Sequence, residues 1–355
     1  MSKIYFQGKF THRLKSYLAL SRISIQVIAR RMIGRPLVAS WSATFEMGVL
    51  FWRHQFNSAF SAKTMKEGRA YFDSLITSTG ETFAITTEAS LENLPKGQWV
   101  LPDQRSSDAQ ILYLHGGGYS FRSEISVNYA KNLAGILNID LFMPEYRLTP
   151  EHAHPAQLED ALAAYKFMLN EGVDPAKLVL IGDSAGGHLV LMLMQTLKNE
   201  GLAQPALSIC LCPWTDIGEH GDSFYQNDRY DLVQGYMAKR FGEWLREGTS
   251  FTREELSPIC CDYKGLAPLY LQGAGREVLI DMICSFAEVV KEQGAEVVLD
   301  MWPDMIHNFQ AHGQTHPDSV EAFARMREVI DLKTQTSGKL TPSPRTIIMS
   351  PDLDF

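Results

Sequence analysis

The chain has 355 residues, of which 45% are hydrophobic and 21% charged, so it has the composition of a globular protein with one large domain or two smaller ones. Its net charge of −8 is unevenly distributed, because residues 1–45 carry eight Lys or Arg and no acidic residue, which leaves 25 basic against 41 acidic residues, or −16, in the remainder. An acidic body argues against nucleic acid as a main partner.

The first predicted element is an amphipathic helix within residues 10–35. Its stripe of residues at three- or four-residue steps consists of Phe10, Leu14, Leu18, Ser21, Ile25, Ile28 and Met32. The favoured interpretation is a helix that packs on its own protein. Because the polar face is basic, a helix that lies on a membrane surface is the alternative. A second helical stretch, ATFEMGVLFWRHQF, follows Pro36.

From residue 81 onward, short β-rich runs alternate with helical patterns. The eight runs are ETFAITTEA, GQWVLP, AQILYLH, IDLFMP, KLVLIGD, ALSICLCP, PLYLQGA and AEVVLDMW. Near-continuous apolar strands interleaved with helices predict an α/β fold with a mostly parallel, eight-stranded sheet that helices cover on both faces.

Two stretches depart from this alternation. Residues 215–255 are rich in Tyr, Phe, Trp and charge, and they predict a helical insertion. Residues 336–355 have no periodicity and three prolines, and they are interpreted as a C-terminal tail. The predicted organisation is therefore an N-terminal helical segment over 1–80, a main domain over 81–335 that contains the insertion, and the tail.

The most specific motif is LVLIGDSAGG at residues 178–187. An apolar strand runs directly into Gly-x-Ser-x-Gly and then into a helix, which is the pattern of a nucleophile elbow. This tight turn projects the serine hydroxyl above the sheet edge. Gly182 and Gly186 flank Ser184 because a Cβ at either position would collide with the neighbouring strand or helix. Ser184 is therefore the candidate nucleophile.

Serine is a poor nucleophile at neutral pH without a base, and after a nucleophile elbow the partners follow in the order acid, then histidine. His307 follows the last predicted strand, in WPDMIHNF, where a loop can return over the sheet edge. His307 is the candidate base, and His312 is the weaker alternative.

The candidate acids follow the preceding predicted strand, in GREVLID. Glu277 lies closer to the end of that strand and is favoured. Asp281 fits the first turn of the next helix, where a carboxylate is favourable without any catalytic role. The acid is expected to hold His307 in its neutral tautomer and to stabilise the imidazolium that forms.

The sequence HGGG directly follows the third β-rich run, and glycines there let backbone amides approach a reacting group closely. Attack on a carbonyl creates an oxyanion that needs such donors. The predicted oxyanion hole consists of the amides of Gly117, Gly118 and Ala185. Gly116 is expected to serve the turn, and His115 to brace the loop.

Six motifs occur in an order that resembles the hormone-sensitive-lipase-like family of α/β-hydrolases, in the branch with GDSAG. They are HGGGYSF, EYRLTPEHAHPAQLEDA, GDSAGGHL, CPWTDI, GREVLID and DMIHNF, and the resemblance covers about residues 80–330. It implies the α/β-hydrolase fold, a helical cap built from the N-terminal segment and the insertion, and a serine carboxylesterase that needs no metal or organic cofactor. Many members carry Asp, and others Glu, where this chain has Glu277.

Three functions are compatible with these residues. The leading hypothesis is hydrolysis of short- to medium-chain carboxylic esters through an acyl-enzyme on Ser184. The second keeps the mechanism but acts as a deacetylase or amidase on a small metabolite. The third is a small-molecule receptor without catalysis, as found in relatives that lost triad residues; the presence of Ser184, an acid and His307 argues against it.

The remaining expectations concern the cellular compartment, the binding partners and the residues that support the site. The five cysteines show no metal-binding spacing, and with no apparent signal peptide they indicate reduced thiols in a cytoplasmic protein. The expected partner is a small-molecule ester. A weak contact of the basic N-terminal segment with a membrane surface and the formation of a homodimer are two further possibilities. Asp183 is expected to orient the elbow, and Arg147 and Glu151 to form an ion pair in the scaffold.

Overall fold

A computed structural model describes residues 3–6, 8–78, 84–89, 96–335 and 338–350. The described helices are α1 (Phe10–Met32), α2 (Ala43–Phe60), α3 (Met65–Phe72), α4 (Glu124–Leu137), α5 (Ala156–Asn170), α6 (Ala185–Asn199), α7 (Ser223–Gln226), α8 (Gly235–Arg246), α9 (Ile280–Glu292) and α10 (Pro317–Thr334). The described strands are β1 (Lys3–Phe6), β2 (Leu75–Ser78), β3 (Ala84–Ala89), β4 (Gly97–Pro102), β5 (Gln110–Leu114), β6 (Asp140–Pro144), β7 (Leu178–Asp183), β8 (Leu207–Leu211), β9 (Leu269–Ala274), β10 (Val297–Trp302) and β11 (Thr346–Met349). Among the described helices, none combines the length and apolar character that crossing a bilayer requires.

The main sheet has nine described strands in the order β11-β10-β9-β8-β7-β5-β6-β4-β3. The six strands from β10 to β6 in this order run parallel. β11, β4 and β3 each pair antiparallel with a neighbour. Strands β3 to β10 confirm all eight predicted runs, and β11 is an additional strand. Separately, β1 and β2 form a two-stranded antiparallel sheet.

Helices cover both faces of the main sheet, as the continuous apolar strands require. Side chains of α4 and α10 share a buried cluster with one face, and those of α5, α6 and α9 share a larger cluster with the other. All six residues of β7 are buried, which explains why its sequence does not alternate. Since β5, β7, β9 and β10 are parallel, their carboxyl ends meet at one edge of the sheet.

The C-terminal segment differs from the expected tail. Residues Thr346–Met349 form β11, which pairs antiparallel with β10 and places Ile348 opposite Leu299. The hydroxyl of Thr346 donates a hydrogen bond to the buried carboxylate of Asp300. The prediction of a tail is therefore wrong for these residues. A four-residue run next to prolines is too short to give a recognisable strand period.

The N-terminal helices α1 and α2 are present, and α1 packs on its own protein as favoured, but not through the predicted stripe. Its buried residues are Ser16, Ala19, Ile23 and Val27, which contact α2 around Phe51. The six apolar residues of the predicted stripe face solvent instead, with exposed fractions of 46–83%; they are Phe10, Leu14, Leu18, Ile25, Ile28 and Met32. The periodicity identifies the helix correctly, and the packed face is the opposite one.

Helix α2 and the insertion 215–255 form a joint layer over the carboxyl edge of the sheet, here called the cap. Arg53 of α2 donates a hydrogen bond of 2.8 Å to the carbonyl of Asp231 in the insertion. The ring of Phe60 lies 5.0 Å from that of Phe241 and stacks on Trp244 at 5.5 Å. The two segments are therefore held together by both aromatic packing and hydrogen bonds.

The expected ion pair between Arg147 and Glu151 is absent from this described region. Arg147 instead pairs with Glu159 and Asp160 at the start of α5, each at 2.8 Å. Glu151 pairs with Arg69 of α3 at 2.7 Å. The prediction was wrong because it rested on the short distance between the two residues in sequence. The path of the loop directs the two side chains to different helices.

Candidate active site

Ser184 lies at the junction between β7 and α6, where the backbone turns sharply. Its φ of 53° and ψ of −119° lie outside the regions that residues with a Cβ usually adopt. A Cβ on Gly182 would lie 2.3 Å from the carbonyl oxygen of Gly186, and one on Gly186 would lie 1.9 Å from that of Leu114. The glycines on either side therefore permit the strained turn that exposes the serine hydroxyl.

His307 and Glu277 meet in a buried pair at the carboxyl ends of β10 and β9. The Nδ1–H of His307 donates to Oε2 of Glu277 at 2.7 Å, and both side chains are almost fully buried. Oε1 of Glu277 accepts the backbone N–H of Ala274 at 2.8 Å. With Nδ1 engaged, Nε2 is the ring nitrogen available to Ser184, which lines the same pocket.

The environment of His307 favours its protonated form. Burial alone would lower its pKa, but the hydrogen bond and negative charge of Glu277 outweigh burial and raise the pKa above its usual value. Within the described residues, Ser184 makes no hydrogen bond to the His307 ring. Catalytic hydrogen bonds are often long in free enzymes and tighten in the complex with substrate.

The alternative candidates lie elsewhere. Asp281 is in the first turn of α9, and its Oδ2 accepts the backbone N–H of Ser223 in the insertion at 2.8 Å. His312 packs against the ring of Phe45, with centroids 5.0 Å apart. His316, a third late histidine that the sequence analysis leaves aside, caps α10. The structure therefore brings Glu277, and not Asp281, to His307.

The HGGG loop follows β5 and lies beside the elbow. Gly117 and Gly118 have positive φ values of 104° and 59°, and both line the pocket with Ser184 and Ala185. A Cβ on Gly118 would lie 2.4 Å from the ring of Phe241 in the cap. The amide of Gly116 is already used, because it donates to Asp183 at 2.8 Å. Gly117, Gly118 and Ala185 remain the predicted donors.

His115 braces this loop and is unsuited to proton transfer. Its Nδ1–H donates to the carbonyl of Gly116 at 2.7 Å, and its ring stacks on Tyr146 at 4.2 Å. Burial lowers the pKa of His115 to about 3, so the ring is neutral at physiological pH. A buried neutral imidazole of this kind stabilises the loop through packing and hydrogen bonds.

Asp183 connects the three parts of the site. Its Oδ1 accepts the hydroxyl of Tyr113 at 2.6 Å and the amide of Gly116, and its Oδ2 accepts the side-chain amide of Asn308 at 2.6 Å. The carboxylate thus joins the elbow to the HGGG loop and to the loop that carries His307. This is the orienting role expected for Asp183.

Asp231 is a buried residue beside the candidate base that the sequence analysis missed. It belongs to the insertion, and its Oδ1 accepts the backbone N–H of His307 at 3.1 Å. Its Oδ2 accepts the N–H of Val278, next to Glu277, at 2.9 Å. Burial raises the pKa of Asp231 to about 7. No local motif marks this residue, because its partners are distant in sequence.

One group of three potential metal ligands occurs among the described residues. The donor atoms of Cys212, Glu277 and His307 lie within 4.8 Å of one another, and all three residues are buried. Burial, together with the charge of Glu277, raises the pKa of the Cys212 thiol well above its usual value. The Nδ1–H of His307 already donates to Oε2 of Glu277, and Oε1 of Glu277 accepts the N–H of Ala274, so this group already uses atoms of Glu277 and His307 in hydrogen bonds. It fits a hydrogen-bonded cluster around the candidate base.

The pocket above Ser184 is small and mainly apolar. It encloses about 60 Å³. The cap supplies one wall and the catalytic loops supply the other. The lining residues are Phe56, Gly117, Gly118, Ser184, Ala185, Trp214, Leu232, Val233, Ala238, Phe241, Leu279, His307 and Asn308. By this measure the pocket holds roughly four to six atoms the size of a water molecule.

Comparison with known proteins identifies the family of this fold. A family model described as alpha/beta hydrolase fold matches residues 111–311. The chain belongs to the α/β-hydrolase family. Within this family it is 32% identical over 228 residues to an acetyl-hydrolase of Streptomyces hygroscopicus, which covers 64% of this chain and 76% of the relative.

Solved structures of esterases resemble most of this chain. A mutant of the esterase E40 superposes with a TM-score of 0.73 at 29% identity and covers 79% of this chain and 96% of its own. An esterase from the bacterial hormone-sensitive lipase family has a TM-score of 0.68 at 25% identity, with 92% and 100% coverage. The resemblance to hormone-sensitive-lipase-like enzymes is confirmed, and this α/β-hydrolase is a serine hydrolase.

Proposed function

We propose that this α/β-hydrolase is a carboxylesterase that hydrolyses short-chain carboxylic esters through an acyl-enzyme on Ser184. The observation that carries the proposal is the 2.7 Å contact of His307 Nδ1 with Glu277 in the pocket that Ser184 lines. The contact leaves Nε2 for the serine, which is the orientation that a Ser-His-acid triad needs. The relatives named esterase and acetyl-hydrolase support the same reaction class.

In the proposed first step, Oγ of Ser184 bonds to the carbonyl carbon of the ester while its proton moves to Nε2 of His307. The carbonyl oxygen becomes negatively charged, and the amides of Gly117, Gly118 and Ala185 donate hydrogen bonds to it. The bond to the alcohol oxygen then breaks, and His307 returns its proton to the departing alkoxide.

In the second step, water attacks the acyl carbon and gives its proton to Nε2 of His307. The bond between Ser184 and the acyl group breaks, which releases the carboxylic acid and restores the serine hydroxyl. Throughout the cycle, Glu277 holds the ring by Nδ1 and stabilises each imidazolium. Apart from the ester and the attacking water, each step uses side chains and backbone amides of this chain.

The pocket favours the short end of the expected range of acyl chains. Its volume of about 60 Å³ suits acetyl to butyryl groups, and Phe56 and Phe241 of the cap line it. The name of the acetyl-hydrolase relative agrees with a short acyl group. We therefore propose acetyl and butyryl esters as the preferred substrate class.

The decisive experiment is turnover of p-nitrophenyl acetate, butyrate and octanoate by the purified chain, with p-nitroacetanilide as the amide counterpart. We expect acetate and butyrate to be hydrolysed faster than octanoate, and all esters faster than the anilide. Faster anilide cleavage would identify an amidase. A folded chain that turns over none of the four compounds contradicts the proposal and favours a receptor.

We also propose that the chain works in a reducing compartment such as the cytoplasm. Its five cysteines, Cys210, Cys212, Cys260, Cys261 and Cys284, are all free thiols. Cys260 is exposed. Titration of the denatured protein, purified from its native source without reductant, should find five free thiols, and fewer would contradict a reducing environment.

A further inference from the structure

Eight of the twelve large apolar side chains that are exposed on the described surface lie on α1 or at Ile33, the residue that follows it. The six residues of the apolar stripe repeat at helical spacing from Phe10 to Met32, a length of about 33 Å. They lie on the side of the helix opposite Ser16, Ala19, Ile23 and Val27, which pack on α2. Single exposed apolar residues are common in proteins, but a continuous stripe of this length marks an interaction surface.

The charges around this stripe are all positive. The sequence of α1 contains no Asp or Glu. At 100° per residue, Lys15 and Arg22 flank the stripe on one side and Arg13 flanks it on the other. Arg31, on the same side as Arg13, is paired with the buried carboxylate of Glu46 at 2.7 Å and is not counted among these flanks. Lys15 and Arg22 are exposed, as are Lys9 and Arg35 at the two ends of the helix.

We propose that α1 lies in the plane of an anionic lipid surface, with its apolar stripe between the headgroups and its basic flanks against their phosphates. An apolar face bordered by Lys and Arg is the pattern of helices that bind membranes in this orientation. The long basic side chains can extend toward the headgroups while their methylene stems cover the edge of the stripe. The rest of the chain, with its charge of −16, points away from the surface.

A second copy of the chain is a poorer occupant for the same face. Two α1 helices that met stripe to stripe would bring two basic segments together without an acidic residue between them. Outside α1 and the residue that follows it, the large exposed apolar side chains of the described surface lie singly in four different elements; they are Tyr225, Tyr236, Val320 and Ile347. A second copy therefore offers no matching apolar surface among its described residues.

The proposal is tested by flotation of the full chain with vesicles of phosphatidylcholine alone and of phosphatidylcholine with phosphatidylglycerol at a ratio of 7:3. We expect flotation with the anionic vesicles only, and a decrease when salt is raised, because the basic flanks act through screened charges. Equal binding to both vesicle types, or none to either, overturns the proposal.

The double variant Leu18→Glu/Ile25→Glu tests the stripe directly. We expect its binding to anionic vesicles to fall roughly tenfold or more, because two apolar contacts are replaced by repelled charges. Val320→Glu on α10 is the matched control, since it makes the same kind of change at an exposed site away from α1. The circular-dichroism spectrum and the melting temperature of both variants should match those of the unaltered chain, which establishes that they are folded.

Sedimentation of the unaltered chain tests whether a second copy of the chain, and not a lipid surface, covers the stripe. A dimer that the double variant converts to a monomer, without binding of the unaltered chain to vesicles, means that a second copy covers the stripe and overturns the proposal. A double variant that still floats like the unaltered chain overturns it as well. Loss of flotation in the double variant and retention in Val320→Glu support it. None of these outcomes depends on whether Ser184 hydrolyses esters.

Discussion

The catalytic loops and the cap meet at one pocket, but they are held in place differently. Ser184, Glu277 and His307 follow strands of the parallel sheet. The buried carboxylates of Asp183 and Asp231 accept hydrogen bonds that hold the loops around the site. The cap faces them mainly with apolar and aromatic side chains, which can repack at moderate cost. We infer that these loops determine whether acyl transfer occurs, and that the cap determines which acyl chain fits.

If this division is correct, replacement of the nucleophile should cause the largest loss of kcat, and this loss should be equal for all ester substrates. Ser184→Ala should reduce kcat for p-nitrophenyl acetate and butyrate by about 10⁶-fold, because the triad acts as a unit. Steady-state rates and the mass of the protein after incubation with substrate measure the loss of turnover and of the acyl adduct. A variant that keeps most of its activity excludes Ser184 from the mechanism.

The second effect separates the two candidate acids. Glu277→Gln should reduce kcat by about 10⁴-fold, because the amide no longer stabilises the imidazolium of His307. Asp281→Asn is the matched control and should leave kcat within a few-fold, since Asp281 bonds to Ser223 in the insertion. A larger loss at Asp281 would transfer the role of the acid to that residue.

A change in the cap should alter selectivity and spare the chemistry. Phe56→Ala enlarges the pocket wall, so kcat/KM for octanoate relative to acetate should rise about tenfold. Trp52→Ala removes another aromatic residue of α2, which packs on Phe72 and does not line the pocket, and should leave this ratio unchanged. A uniform loss for all esters in Phe56→Ala would contradict the division between cap and loops.

The smallest effect is a shift of the pH profile. The base must be neutral to accept a proton, and the pKa of His307 is raised, so kcat/KM should fall below an inflection that lies above pH 6.5. Glu277→Gln removes the main cause of the raised pKa and should move this inflection to lower pH in the residual activity. The carboxyls of Asp183 and Asp231 also act on the ring, and Asp231, with a pKa of about 7, titrates in the same range.

Structural features that depend only on neighbouring residues in the sequence were predictable. The eight strands β3 to β10 each stand out as an apolar run, and the elbow around Ser184 combines a strand, a short motif and a helix. The order of the strands along the chain then restricts the acid and the base to the loops after β9 and β10. These restrictions led to Glu277 and His307, which the structure places in contact.

Features that depend on distant partners were not predictable. The periodicity of α1 separates two faces but does not say which one packs, and here small residues such as Ser16 and Ala19 face the protein. Asp231 bonds to residues 47 and 76 positions away, so no spacing rule identifies it. Arg147 shows the same limit, because its partners in α5 depend on the path of the intervening loop.

The position of Asp231 has a consequence for engineering new selectivity by exchanging caps between related enzymes. Although Asp231 belongs to the insertion, its carboxylate receives backbone amides from the loops of both His307 and Glu277. A transplanted insertion that lacked a carboxylate at this point would leave two buried N–H groups without acceptors, directly beside the reacting histidine. The insertion is thus not an independent module. A graft that keeps Asp231 and the backbone on either side of it can exchange the pocket wall without loosening the catalytic loops.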